Sequence, residues 1–430
     1  EDEAKDRLAR VVAKKKALDQ DTQATALAKA KYGNEWAKFK CITSLLKDEK
    51  CDSARAIFQG LELATSKNER SLAVLASCRI MTTVPWASLQ GDDEATQAQL
   101  VNLIEEMPFS FLSKVIDAFP GDDQVAHPLA LLIYQMATMK GDWGEQIVSS
   151  RLLATLVKSG SNFTADSKTY GRIARTIAKL TQDVAEAKAE LTKADLCSPF
   201  VAFCRTCETN ENSTEIALRA MFQLVYKNKD GQGNIGAAGG ISYVMGCLGS
   251  FKFPSKIVSP SIKVLIALAS NHAEDCSRMV ETNVIGHFGS CLDACKQNSK
   301  TLAMLCQLLT VICKASLVNR TAIGQTNMYT ILVDCAINSD EVAETVVAAV
   351  SCVPYFLPLT QMELVDSLEQ MMGVYAKDAS NKTLADASSI GLEVIQARRE
   401  GKDDISKVGK KKKKEKDGKS KKKGQEKEKK

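Results

Sequence analysis

The sequence predicts an all-α protein, a right-handed α-solenoid of about seven to nine repeats that ends in a disordered basic C-terminal tail. Three observations lead there. Apolar residues recur every three or four positions from Trp36 to about Arg398, as at Leu129, Leu132, Ile133 and Met136, which is the period of an amphipathic helix. Clear strand alternation is absent. Aliphatic or Met residues stand at one phase of successive helical segments, Met136, Leu180, Leu224, Leu268 and Ile312, each 44 residues from the last. A fixed period of this size marks a stack of similar units, because one helical hairpin or triplet cannot bury its apolar face alone.

Taken in order, residues 1–31 are charged and Ala-rich and read as a helical extension. Residues 32–195 read as irregular helical pairs, residues 196–398 as regular repeats, and residues 399–430 as a Lys-rich tail. The helical segments carrying the repeated phase are 129–139, 171–180, 217–225, 261–269 and 301–313. Pro120, Pro128, Pro199, Pro254 and Pro260 fall where helix starts or turns are expected. Gly231, Gly233 and Gly236 satisfy G-x-G-x-x-G, but a helix precedes them rather than a strand, so they read as an inter-helix turn and not a phosphate cradle.

After Leu224 come Asn234-Ile235-Gly236-Ala237-Ala238-Gly239-Gly240-Ile241. After Leu268 come Cys276-Ser277-Arg278-Met279-Val280, and after Ile312 come Asn319-Arg320-Thr321-Ala322-Ile323. The order is long helix, polar turn, short helix, tight turn, second helix. This resembles the armadillo repeat, with 264–271 similar to its last helix. The resemblance is closest over roughly 196–353 and weaker over 30–106 and 107–195, where the longer, less regular pairs are similar to HEAT-like or degenerate armadillo units. It implies a superhelical stack that binds other macromolecules along a groove. Peptide-binding members clamp an extended backbone with an Asn ladder on the last helices, and import adaptors add a Trp array. At the ladder phase this chain has Gln135, Lys179, Gln223, Ala267 and Val311, and Trp36, Trp86 and Trp143 do not recur at the period. The expected partner is therefore a folded or helical protein. Candidate contact residues on the last helices are Lys179, Arg219, Gln223, Lys263, Gln307 and Lys314.

No catalytic set is evident. His127, His272 and His287 are the only histidines, and all sit at turns or helix starts. Cys197, Cys204 and Cys207 form the most metal-like cluster, yet a structural zinc site needs four ligands and no second pair lies near. They read as core cysteines. No metal and no cofactor is expected, and the chain reads as non-enzymatic. The fourteen cysteines are unpatterned, which suits a reducing compartment: the cytoplasm, with the nucleus as the alternative. A leader removed before Glu1 stays open.

Charge is unevenly spread. The whole chain carries +5, whereas residues 409–430 hold 13 Lys and 4 acidic residues, so the remainder is mildly acidic. Lys410, Lys411, Lys412, Lys413, Lys414, Lys421, Lys422 and Lys423 make a polyanion-binding tail that suits acidic protein tails, nucleic acid or an import receptor. The function expected is a scaffold, adaptor or regulatory subunit. A chaperone cofactor or small-GTPase regulatory factor, and a nuclear transport adaptor, are the alternatives.

Overall fold

A computed structural model describes residues 33–48, 53–83, 94–139, 141–251, 255–270, 272–281, 288–289, 291–292, 298–338, 343–378, 380–402, 405 and 408. The expected extension, Trp86, His287 and the lysine tail lie outside the described residues. Among the described residues there are 22 α-helices, two short 3-10 helices and no strand. The chain divides into two compact units, Glu1–Phe163 with Ser167–Thr176, and Thr164–Asp166 with Ile177–Lys430.

The first unit holds α1 (Trp36–Lys47), α2 (Ala54–Lys67), α3 (Arg70–Thr83), α4 (Glu94–Glu106), α5 (Phe109–Ala118), α6 (Asp123–Thr138), α7 (Trp143–Ser149) and α8 (Leu152–Gly160). Third helix packs on third helix, α3 on α6, and second on second, α2 on α5 and α5 on α8. Helix α9 (Lys168–Asp183) contains the division between the units.

The second unit holds α10 (Ala185–Leu191), α11 (Ala194–Arg205), α12 (Glu211–Val225), α13 (Lys229–Ala237), α14 (Gly240–Ser250), α15 (Val258–Ala269), α16 (Ala273–Glu281) and α17 (Ser299–Ala315). It continues with α18 (Leu317–Gly324), α19 (Met328–Asn338), α20 (Ala343–Cys352), α21 (Met362–Tyr375) and α22 (Lys382–Arg399). The third helices form one row, with α12 on α15, α15 on α17, α17 on α20 and α20 on α22. Short first helices form another, α13 on α16 and α16 on α18.

The 44-residue phase is the core of this arrangement. Met136 is 0% exposed, Leu180 1%, Leu224 0%, Leu268 0% and Ile312 1%. All five are buried, as a stack of similar repeats requires of the face that no single triplet can bury alone. Polar side chains repeat at the same period. Ser167 Oγ donates to Asp123, Asn210 Nδ2 to Asp166 Oδ1 at 2.6 Å and Ser255 Oγ to Glu211 Oε1 at 2.6 Å, each spanning 44 residues. Asn210, Asn298 and Asn381 cap α12, α17 and α22 by accepting from the backbone N–H three residues on. Such caps satisfy an otherwise orphaned donor and contribute about 1 kcal/mol each.

Two local readings differ from expectation. Residues 231–236 are helix, not turn, since the Asn228 side chain accepts from Gly231 N at 3.2 Å and starts α13 early. Pro128 and Pro199 lie inside α6 and α11 rather than at their starts. Helix-breaking propensity is overridden there by packing: Pro128 is buried, with Val125 and Ala126 buried before it and Leu129 and Leu132 after it.

Candidate functional site

Four consecutive third helices of the second unit, α15, α17, α20 and α22, present one face each to a continuous groove of about 1070 Å³. The trough exists because those faces carry small side chains. Ala303, Ala348 and Ala387 make its floor together with Met304, Val347 and Ile390. Its polar side chains are largely engaged. Thr310 Oγ1 donates to Cys306 O at 2.8 Å, and Ser351 Oγ donates to Val347 O at 2.6 Å. Asn381 is the cap of α22. Gln307 is exposed and has no hydrogen-bond partner among the described residues.

Charge on the rim is uneven. Lys263 and Lys300 are exposed and form no ion pair among the described residues. The Lys314 ammonium lies 4.7 Å from the Tyr355 ring centroid, a cation–π geometry. Tyr355 is itself buried, and burial pushes its phenol up to about 12. Glu344 is the only acidic lining residue described, and it accepts from Ser299 Oγ at 3.3 Å. The rim is therefore cationic over an apolar floor.

A second pocket of about 450 Å³ adjoins the groove and shares Lys263, Met304 and Gln307 with it. Its far wall is the Phe222–Tyr226 pair, with ring centroids 5.1 Å apart. Gln232 also lines it. The Gln232 Nε2 donates to Val225 O at 3.2 Å, while its buried Oε1 has no donor among the described residues.

The six residues expected from the sequence are placed in two groups. Lys263, Gln307 and Lys314 line the groove. Lys179 pairs with Asp183 at 2.7 Å, and Arg219 with Glu215 at 2.6 Å, each on its own helix. Neither lines the groove, nor does the half-buried Gln223. The pocket of Phe222, Tyr226 and Gln232 is not in the sequence reading, because nothing in linear order brings α12 and α13 beside α17.

The other motifs are structural. Cys197 Sγ donates to Leu191 O at 3.4 Å and Cys207 Sγ to Cys204 O at 2.9 Å, so both thiols cap backbone carbonyls. Burial pushes Cys197 up to about 11 and Cys204 well above its usual range, which keeps them as inert thiols. Among the described residues no group of three or more His, Cys, Asp and Glu is arranged to hold a metal ion. His127 is held below the usual imidazole range by burial in α6, with Arg172 adding to the effect. His272 begins a buried knot: Asp275 is 0% exposed, accepts from Arg278 Nη1 at 2.9 Å, and lies 3.2 Å from His272 Nδ1. Gly236 of α13 sits directly against that carboxylate.

Solved structures similar to this chain share its fold at low sequence identity. One is an engineered protein from a structural genomics consortium, with TM-score 0.59 and 16% identity, covering 88% of this chain and 95% of that one. Another comes from a study of a phosphorylation switch in the interaction between cadherin and β-catenin, with TM-score 0.55 and 12% identity, covering 87% of this chain and 77% of that one. A designed armadillo repeat protein aligns over 56% of this chain and 99% of its own, at TM-score 0.47 and 15% identity. The fold is an armadillo-like repeat solenoid. No family model and no curated protein matches the sequence. In this armadillo-like solenoid the groove lies on the third helices. No helix among the described residues is long and apolar enough to cross a membrane.

Proposed function

We propose that the protein is a non-enzymatic interaction scaffold, an adaptor or regulatory subunit that holds a folded or helical protein partner on the third helices of its second unit. One observation carries this reading: a cationic-rimmed, apolar-floored groove of about 1070 Å³ runs across four successive third helices. That is at the upper end of the roughly 300–1,000 Å³ of small-molecule sites, and a groove that crosses several repeats suits a macromolecular contact. Within it Lys263, Gln307 and Lys314 are the contact residues, and residues 196–398 are the recognition part of the chain. The tail lysines 410–414 and 421–423 add salt-sensitive attraction to acidic partners. The working compartment is the cytoplasm.

Affinity capture from native lysate tests this, using the intact chain and a version ending at Val408, each at low and high salt. A partner set retained by both versions at both salts supports binding through the helical body. Loss of everything with the tail or with salt makes the tail the binding element and removes the groove from the account.

A further inference from the structure

We propose that the occupant of this groove is an acidic amphipathic α-helix, lying across α15, α17, α20 and α22, with a tryptophan seated in the adjoining Phe222–Tyr226 pocket. The inference rests on the reading that this surface binds protein. It adds the conformation, charge and anchor of what is bound.

Conformation follows from hydrogen-bond accounting. An extended segment brings a backbone N–H and C=O per residue that must find partners once covered. The groove offers few. The hydroxyls of Thr310 and Ser351 are used within their own helices, Asn381 is used as a cap, and Gln307 is a lining amide without a partner among the described residues. A helix arrives with its backbone already paired and needs from the groove only apolar contact for one face. The floor of Ala303, Met304, Ala348 and Ile390 supplies it. Four third helices packed side by side make three steps of about 8–10 Å, so the trough is about 24–30 Å long. At 1.5 Å per residue that accommodates a helix of about 16–20 residues.

Charge follows from the rim. Lys263 and Lys300 have no ion pair among the described residues, and Lys314 adds a third cation against the single Glu344. Carboxylates flanking the apolar face of the helix complement that rim.

The anchor follows from Gln232. The residue is 2% exposed and lines the pocket, and its Oε1 has no donor among the described residues. A buried acceptor left unpaired is unfavourable. An indole fills an apolar slot beside Phe222 and Tyr226 and carries one N–H, so tryptophan meets both demands.

The test uses the full chain and a fluorescent 18-residue peptide of Ala, Leu and Glu, with Leu at i, i+3, i+4 and i+7 and one Trp near its end. Three sibling peptides replace Glu by Lys, place Pro at the centre, or replace Trp by Ala. Anisotropy titration is expected to give a Kd at least tenfold lower for the acidic helix than for the Lys and Pro siblings, and at least fivefold lower than for the Ala sibling. Combined Lys263→Glu and Lys300→Glu substitution weakens the acidic peptide tenfold or more, whereas Arg219→Glu, outside the groove, changes it less than twofold. Equal binding of the Pro sibling overturns the helical occupant, and equal binding of the Lys sibling overturns the charge assignment. No saturable binding of the acidic peptide, or indifference to the double substitution, overturns the proposal. If partners are still captured at high salt by the chain ending at Val408, that failure leaves the scaffold reading standing.

Discussion

Gly236→Ala is expected to destabilise the second unit although alanine is the better helix former. Gly236 lies inside α13, where the exchange by itself favours the helix by about 1 kcal/mol. A Cβ there would stand 2.6 Å from Asp275 Cγ, inside the distance that real Cβ contacts keep. The Asp275 carboxylate has nowhere to go: it is fully buried on α16 and is held by Arg278 Nη1 at 2.9 Å. Breaking a buried ion pair costs about 3–5 kcal/mol. The Arg278 side chain is 30% exposed, so solvent recovers part of that, leaving about 2–3 kcal/mol. After the helix gain, the net loss is about 1–2 kcal/mol. Gly246→Ala is the control. Gly246 is in α14, is exposed, and a Cβ there meets nothing within 4 Å among the described residues. The same chemical change should stabilise by up to about 1 kcal/mol. Urea unfolding followed by circular dichroism measures both, with hydrogen exchange across 229–281 to localise the effect. A Gly236→Ala protein as stable as the parent, or equal to the Gly246→Ala protein, would refute the packing argument.

Further outcomes follow from the same geometry. Burial pushes Asp275 up to about 6 from 3.8, against the opposing pull of His272 and Arg278. A carboxyl whose folded pKa is raised takes up a proton on folding, so its contribution to stability falls as pH rises between about 4 and 6. Asp275→Asn should therefore gain on the parent protein across that window in denaturant melts, and a difference that moves the other way would sink the linkage. Thiol labelling at pH 8 resolved by mass spectrometry should find Cys41 and Cys78, which are exposed, fast, and Cys204, Cys306 and Cys313, raised well above the usual thiol range chiefly by burial and, for Cys306, first by its hydrogen bond with Cys352, slow. Fast labelling of those three in the native protein would contradict their placement. Leu268→Ala removes a fully buried side chain from α15 and should cost about 2–5 kcal/mol, with exchange protection lost first in α12, α15 and α17. Protection lost evenly along the chain would argue against nearest-neighbour stacking.

The helical period and the 44-residue repeat were readable in linear order, because each depends on residues close in sequence or on a spacing that recurs. Met136, Leu180, Leu224, Leu268 and Ile312 are core in the structure for the reason the spacing implies: every unit must bury the same face. Part of the candidate site was readable too. Lys179 and Arg219 have acidic residues at i+4 and i−4, Asp183 and Glu215, and their pairing is local. Lys263, Lys300 and Lys314 have no acidic residue three or four positions away on either side, and these are the cations on the groove rim.

Only the tertiary structure decided which helix faces meet. Pro128 and Pro199 read as helix starts and became interior, because burial on both sides of the turn outweighs one missing hydrogen bond. Gly236 read as a turn glycine and proved to be the space that a buried carboxylate on the next repeat needs. The pocket of Phe222, Tyr226 and Gln232 has no linear signature, since its walls come from α12, α13, α15 and α17. Periodicity tells that a stack forms and which residues fill it. The hollows left between neighbours depend on side-chain volumes that meet across units, and those volumes come together only when the chain has folded.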